Sequence, residues 1–147
     1  MTVGFNHLGQ FGQLGNQMFQ YAITKSVASK LNVPFKIPNH QNVFDDGIGN
    51  KYTILLFDIF KLEGLTDFGF VNTEKYVQEG HFHYDETIFD ISPQEDFSLW
   101  GFFQSEKYFK DIENDIRDDF KFKDELVSSC SSLIESVDHP IALHIRR

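Results

Sequence analysis

Apolar residues recur three and four positions apart in three segments of the chain, which predicts three helices. In residues 17–31 the apolar face consists of Phe19, Ala22, Ile23, Val27 and Leu31. In residues 106–120 it consists of Tyr108, Ile112, Ile116 and Phe120. In residues 124–137 it consists of Leu126, Cys130, Leu133 and Val137, which predicts that Cys130 is a small buried hydrophobe.

Short apolar runs lie between and around these helices and predict strands. They cover residues 2–6, 33–37, 97–103 and 141–145, whereas residues 39–50 are rich in Asn, Asp and Gly and predict a surface loop. Helices and strands alternate at both ends of the chain. This alternation is typical of an α/β domain built on a mostly parallel sheet.

Composition narrows the classes of function. The chain has 147 residues, of which 41% are hydrophobic and 17 are Phe, so we expect a folded domain with an aromatic core. The formal net charge of −9 argues against nucleic acid as a partner, because most of the surface would repel a phosphate backbone. A single nucleotide needs only a few local cations and is not excluded.

Cysteine use and the apolar runs bear on the compartment. Cys130 is the one cysteine, so an internal disulfide is impossible, which fits a reducing environment. The first 14 residues lack a basic stretch followed by an apolar run, and no apolar run approaches the roughly 20 residues that span a bilayer. We therefore predict a cytoplasmic protein, at most peripheral to a membrane.

The first candidate for binding chemistry is the glycine-containing turn of residues 12–17, which leads into the first predicted helix. Glycines allow a ligand to approach the backbone, and a helix N-terminus favours an anionic group. The Gly15 backbone and the side chains of Asn16 and Gln17 offer hydrogen bonds to phosphate oxygens or sugar hydroxyls. The spacing matches no standard phosphate-binding loop, and a tight turn that Asn16 merely caps is the alternative.

The second candidate is the end of the chain. Arg146 and Arg147 follow the predicted strand 141–145, and ligands bind beyond the carboxyl ends of strands in open α/β sheets. Two arginines can form forked bonds to a diphosphate, and His144 lies on the same strand. A solvated basic terminus is the alternative.

Other polar residues give weaker signals. Ser105 is placed to cap the second helix, and Gln104 could line a cleft. His81 and His83 would share one face of a strand, but no third ligand at a suitable spacing accompanies them. We interpret them as surface histidines and predict no metal site.

Three segments, in the same order, resemble the family-eleven glycosyltransferases, the α-1,2-fucosyltransferases. Residues 12–22, GQLGNQMFQYA, resemble the family's GGLGNQMFQYA opening, and residues 100–109, WGFFQSEKYF, resemble its GYFQSEKYF segment. Residues 144–147, HIRR, resemble the first half of the HxRRxD donor motif. Gln13 departs from the family's usual Gly, and the lead at residues 7–11 is longer.

The resemblance implies a GT-B enzyme with two Rossmann-like domains facing each other across a cleft. Residues 1–139 would form the acceptor-side domain, and residues 140–147 the first strand and partial HxRR motif of a donor domain. The implied reaction moves L-fucose from GDP-fucose to the 2-hydroxyl of a galactoside, with inversion. The implied partners are this donor and a galactose-containing glycan, and no metal or other cofactor is expected.

The resemblance also assigns roles to individual residues. Arg146 would stabilise the charge that develops on departing GDP, Arg147 would support it, and His144 would help to position the nucleotide. Gly15, Asn16 and Gln17 would approach the donor from the other side of the cleft. The motif's Asp would follow Arg147, so we expect this chain alone to be inactive. The alternatives are a fucosyltransferase of another linkage and a non-catalytic carbohydrate-binding or interaction domain.

Overall fold

The computed structural model describes residues 1–45, 48–92, 94–141, 143 and 145. Its strands are β1 (Val3–Gly4), β2 (Phe35–Lys36), β3 (Phe44–Asp45), β4 (Lys51–Tyr52), β5 (Tyr76–Gln78) and β6 (Phe97–Trp100). Four of them form a parallel sheet in the order β2–β1–β6–β5, and β3 and β4 form a separate antiparallel pair. The mixed α/β class and the parallel sheet are confirmed.

The central strands β1 and β6 are buried on both faces, as parallel strands usually are. Val3 pairs with Phe35 on one side and with Phe97 on the other. Val3, Phe97 and Leu99 are fully buried. The strands are shorter than the predicted runs, and β6 ends where Gly101 adopts a φ of 151°.

Helix α1 (Leu14–Leu31) lies against this sheet, and α2 (Leu56–Ile59) contacts α1. Ala22, Ile23 and Val27 of the predicted apolar face are buried, and Phe19 and Leu31 are half-buried. The polar residues Gln17, Gln20, Thr24 and Ser26 are buried as well. The helix contacts residues 106–112 as well as the sheet, so more than one element covers it.

The predicted start of this helix is wrong by one turn. The helix begins at Leu14, and Gln13 is its N-cap residue, so Asn16 lies inside the first turn and does not cap it. The Asn16 side-chain oxygen accepts a hydrogen bond from Gln104 instead. The C-terminal end follows the expected chemistry, because Asn32 adopts a left-handed φ of 53° and donates its amide to Ala28 and Ser29.

The segment predicted as one helix over residues 106–120 is divided in two. A 3-10 segment (Glu106–Ile112) precedes α3 (Glu113–Asp119), and Phe109 within the 3-10 segment has non-helical angles of φ −132° and ψ 19°. Next to this kink the buried Ser26 hydroxyl donates to the Tyr108 carbonyl at 2.6 Å, which ties the segment to α1. Ser105 caps the segment as predicted, since its side chain accepts from the Lys107 amide.

The last helix, α4 (Asp124–Glu135), forms where predicted but is not packed. None of its residues is buried, and Leu133 is 70% exposed. The prediction that Cys130 is buried is wrong, since this thiol is exposed. The spacing of apolar residues indicates that a helix has an apolar face, but it does not indicate whether another element covers that face.

The prediction of a buried strand over residues 141–145 is not met by the residues of that segment that the structure describes. Ile141, Leu143 and Ile145 are 92%, 83% and 71% exposed and lie outside any strand. A strand needs a neighbour for its backbone groups, and none is present for these three residues. Ala142, His144, Arg146 and Arg147 lie outside the described residues.

A buried carboxylate joins α1 to the end of α3. Asp119 accepts from the Tyr21 hydroxyl at 2.7 Å, from the Gly64 amide at 2.7 Å and from the Lys25 ammonium. Its side chain is only 2% exposed, so the three donors replace its hydration. Burial, with a smaller contribution from the bond to Asp119, raises the pKa of the Tyr21 phenol above its ordinary value.

Candidate functional site

The candidate site lies at the carboxyl edge of the parallel sheet. Strands β1 and β6 are parallel neighbours at the centre of the sheet, so their carboxyl ends lie side by side at this edge. Ligands of open α/β sheets bind outside the carboxyl ends of the strands. Here that edge is formed by residues 5–13, which follow β1, and residues 101–105, which follow β6.

Two glycines shape the loop after β1. Gly9 and Gly12 adopt positive φ values of 97° and 84°, which other residues rarely tolerate. A Cβ atom at Gly12 would lie 1.8 Å from the Asn16 side-chain nitrogen. The loop can therefore close onto the first turn of α1 only because glycine occupies this position.

The N-terminal end of α1 offers free backbone donors. Gln13 makes no side-chain capping bond, and the first turn carries no acidic residue. The first amides of a helix have no intrahelical acceptor, and the helix dipole adds a positive potential there. Gly15 is exposed, and a Cβ atom built on it would meet nothing within 4 Å. The glycine is not required by the packing of the described residues, and its position leaves space for another molecule.

Gln17 has a structural role. It is 1% exposed, its amide nitrogen donates to the Thr53 carbonyl at 3.0 Å, and its oxygen accepts from the Leu55 amide at 2.8 Å. These bonds hold the chain after β4 next to the helix. A cavity of about 210 Å³ lies between them, lined by Gly9, Gly12, Gln13, Gln17, Lys51, Tyr52, Thr53 and Leu55. Lys51 brings a cation to the wall of this cavity.

The loops after β1 and β6 are tied to each other through α1. The Gln20 side-chain amide donates to the Phe11 carbonyl at 3.3 Å and to the Gly101 carbonyl at 3.1 Å. The Gln104 amide donates to the Asn16 side chain at 2.5 Å. These hydrogen bonds join Gln20 to Gly101, 81 positions away, and Asn16 to Gln104, 88 positions away, at the carboxyl edge of the sheet.

Glu79 fixes the loop after β6. Its carboxylate accepts from the Phe102 amide at 2.8 Å and from the Phe103 amide at 3.0 Å. These bonds support the unusual left-handed φ of 52° at Phe103. Sequence reasoning missed Glu79, because nothing in its local pattern separates it from the other acidic residues of the chain.

A cluster of aromatic side chains, the aromatic surface, borders the same edge. It consists of His7, Phe11, Tyr76, Trp100 and Phe102. The Trp100 ring lies 4.2 Å from His7 and 4.8 Å from Phe11, measured between ring centroids. Sequence reasoning missed this cluster as well. The high Phe content was the available signal, but it was used to predict an aromatic hydrophobic core and not an aromatic cluster at the surface.

The predicted site residues are therefore divided. Gly15, Asn16 and Gln17 lie together in the first turn of α1, but only Gly15 and Asn16 face outward. Gln104, expected to line a cleft, is exposed and contacts Asn16. The predicted donor residues His144, Arg146 and Arg147 lie outside the described residues.

His81 and His83 are exposed, and their rings stack in parallel with centroids 4.9 Å apart. The adjacent Asp85 carboxyl has its pKa lowered, first by the hydrogen bond from the Thr87 side chain. In the described part of the chain, no group of three or more His, Cys, Asp or Glu side chains is arranged to hold a metal ion.

A larger cavity, of about 770 Å³, lies at the opposite edge of the sheet. It is lined by Met1, Asn72, Thr73, Glu74, Lys75, Gln94, Glu95 and Asp96. Several of its charges pair with each other, as Lys75 does with Glu95 at 2.6 Å. It adjoins the amino ends of the strands, whereas ligands of open α/β sheets bind beyond the carboxyl ends, so its size alone does not make it the better candidate.

Comparisons with protein-family models, with curated proteins and with solved structures gave no match. None of the described helices has both the length and the apolar character that crossing a bilayer requires. The function is therefore argued from the residues of the carboxyl edge.

Proposed function

We propose that this chain is the acceptor-side portion of a GT-B glycosyltransferase that transfers L-fucose from GDP-fucose to the 2-hydroxyl of a galactoside. One observation carries the proposal. Two segments that resemble the α-1,2-fucosyltransferases, residues 12–22 and 100–109, are far apart in sequence but meet at one edge. They are joined by the Gln104–Asn16 bond of 2.5 Å and by the Gln20–Gly101 bond of 3.1 Å.

The chemistry of the edge agrees with this substrate class. The amino end of α1 and the nearby Lys51 offer backbone donors and a cation, which suit the diphosphate of a sugar nucleotide. In the proposed enzyme Arg146 stabilises the negative charge that accumulates on departing GDP, and His144 and Arg147 support the nucleotide. The four-stranded parallel sheet is compatible with a Rossmann-like domain.

The activity is tested in a protein that carries this chain together with the donor domain that the resemblance implies. We expect fucose transfer to a β-galactoside and release of GDP. Arg146→Ala should lower kcat by about 10²–10³-fold, as loss of a charge contact in the transition state does. Absence of transfer to any galactoside would contradict the proposed function, whereas near-full activity of the variant would contradict only the role of Arg146.

Gly15→Ala tests whether the donor approaches α1. Alanine should stabilise the helix by up to about 1 kcal/mol, since the added Cβ meets no atom of the described residues. It should nevertheless weaken GDP-fucose binding, because the methyl group occupies the space at the helix end. Ser29→Ala, at an exposed position near the other end of α1, is the matched control and should leave binding unchanged.

A further inference from the structure

The aromatic surface is separate from the hydrophobic core. The core includes Phe5, Phe97 and Phe103, whereas Phe11, Tyr76 and Trp100 neither belong to it nor are among the partly buried residues packed against it. Tyr76 is 44% exposed, and His7, Phe11, Trp100 and Phe102 are partly exposed. Core packing therefore does not account for this concentration of rings at the carboxyl edge.

The rings of the aromatic surface pack edge-on or tilted against one another. Trp100 meets His7 at an interplanar angle of 67° and Tyr76 at 89°, and Phe11 is tilted against it by 59°. In such pairs the edge of one ring lies against the face of another, so the ring planes point in different directions. A ligand with a flat apolar face could therefore stack on one exposed ring and touch the edges of its neighbours.

Polar groups lie beside the rings. The His7 Nδ1 atom is 2.9 Å from the Gln10 side-chain oxygen, and because an amide oxygen only accepts, Nδ1 carries the proton. In the neutral ring the Nε2 atom of His7 then accepts from a hydroxyl group. Gln104 and Asn16 add neutral hydrogen-bonding groups at the same edge. Rings combined with a few neutral polar groups are typical of sites for small polar ligands that carry an apolar face.

We propose that the aromatic surface binds a hexopyranose through its apolar face. β-Galactopyranose is the best match, because its axial 4-hydroxyl leaves the C–H bonds at C3, C4 and C5 on the opposite face. These weakly positive C–H groups are attracted to the negative faces of aromatic rings. The hydroxyl rim of the sugar would meet His7 and its polar neighbours. That this sugar is an acceptor rests on the proposed transferase function, but the stacking argument does not.

Trp100 provides a direct readout, because it is the only tryptophan of the chain. The 147-residue chain is titrated with methyl β-galactopyranoside while Trp100 emission is recorded, and saturation-transfer NMR identifies the sugar protons in contact. We expect binding in the millimolar range, with the strongest transfer to H3, H4 and H5. No response of Trp100, or transfer spread evenly over the sugar, would contradict the proposal.

Substitutions locate the site. Phe11→Leu keeps an apolar side chain but removes the ring, and should weaken binding about tenfold. Phe11→Tyr keeps the ring and should bind as the parent does. Phe122→Leu is the matched control, because Phe122 is 55% exposed and lies outside the aromatic surface. Equal affinity of Phe11→Leu and the parent would overturn the assignment.

Two further outcomes separate this proposal from its rivals. If GMP changes Trp100 emission and the galactoside does not, the surface binds a purine base and the proposal is wrong. If the larger enzyme transfers fucose but Phe11→Leu leaves the KM for the galactoside unchanged, the proposed function stands and the subsite is wrong. Binding of the galactoside by the chain, together with absence of fucose transfer by the larger enzyme, would support the subsite and contradict the transferase.

Discussion

At the scale of single residues, buried polar side chains fix the geometry around α1. Gln17, Gln20 and Asp119 are each almost completely buried, and each bonds to backbone that is distant in sequence. Gln17 and Asp119 replace lost hydration with protein donors and acceptors, whereas in Gln20 only the amide nitrogen does so and the buried Oε1 atom has no hydrogen-bond partner among the described residues. The sequence pattern predicted that Gln17 contacts a ligand. In the structure the Gln17 side-chain amide instead bonds to the backbone of the loop after β4.

Tyr21→Phe removes one of the three donors of Asp119. A hydrogen bond to a charged group contributes about 1.5–3 kcal/mol, so we expect the free energy of unfolding at neutral pH to fall by about that amount. The measurement is urea denaturation followed by circular dichroism. Tyr76→Phe, at an exposed phenol, should cost much less. An equal cost for both variants would contradict the role of the buried network.

The same substitution should alter the response to alkali. The pKa of Tyr21 in the folded chain is raised above its ordinary value of 10.0, mainly by burial. Below pH 10 both folded and unfolded chains hold the proton, but above it only the unfolded chain releases it, so stability falls as pH rises. Above pH 10 the free energy of unfolding of Tyr21→Phe should therefore fall by about 1.4 kcal/mol less per pH unit than that of the parent chain. If the free energies of unfolding of variant and parent fell in parallel as pH rises, the raised pKa of Tyr21 would be contradicted.

At the scale of elements, packing decides what periodicity cannot. The spacing of apolar residues predicted α1 and α4 equally well, but α1 is enclosed and α4 has no buried residue. Similarly, the predicted helix over residues 106–120 is interrupted at Phe109, next to the Tyr108 carbonyl that accepts from Ser26, 82 positions away. Local sequence carries the helical tendency, whereas these interruptions depend on long-range contacts.

A pair of leucines tests the contrast between α4 and the sheet. Leu133 of α4 is 70% exposed, and Leu99 of β6 is fully buried. Leu133→Ala should change the free energy of unfolding by less than about 0.5 kcal/mol, whereas Leu99→Ala should cost about 2–5 kcal/mol. Urea titrations of both variants make the comparison. A large cost for Leu133→Ala would show that its side chain is covered in solution.

The candidate site at the carboxyl edge shows the same contrast between local sequence and long-range contacts. The glycine turn and the QSEKYF segment could be predicted, because their residue types are specific and local. Glu79 and the aromatic surface could not, because they come together only when β5 and β6 pair in register, with Gln78 opposite Trp100. The site is therefore partly a property of single segments and partly a property of the sheet.

At the scale of the whole molecule, acidic residues outnumber basic ones by 22 to 13. The ion pairs are mostly exposed, as with Lys121 and Asp118, and such pairs contribute little. We therefore expect repulsion among the excess acidic groups to outweigh the attraction within the pairs. The net charge of −9 acts against the compact state, in which these groups are held closest together.

Salt should therefore stabilise this chain. Raising NaCl from about 10 mM to about 150 mM shortens the Debye length from about 30 Å to about 8 Å and screens the repulsion. We expect Tm at neutral pH to rise by a few degrees, which corresponds to about 1 kcal/mol for a domain of this size. Near the isoelectric point of about 5.0 the net charge vanishes, so the same change in salt should leave Tm unchanged or lower it slightly. A fall in Tm with salt at neutral pH would mean that the ion pairs, and not the excess acidic charge, dominate the electrostatics of the fold.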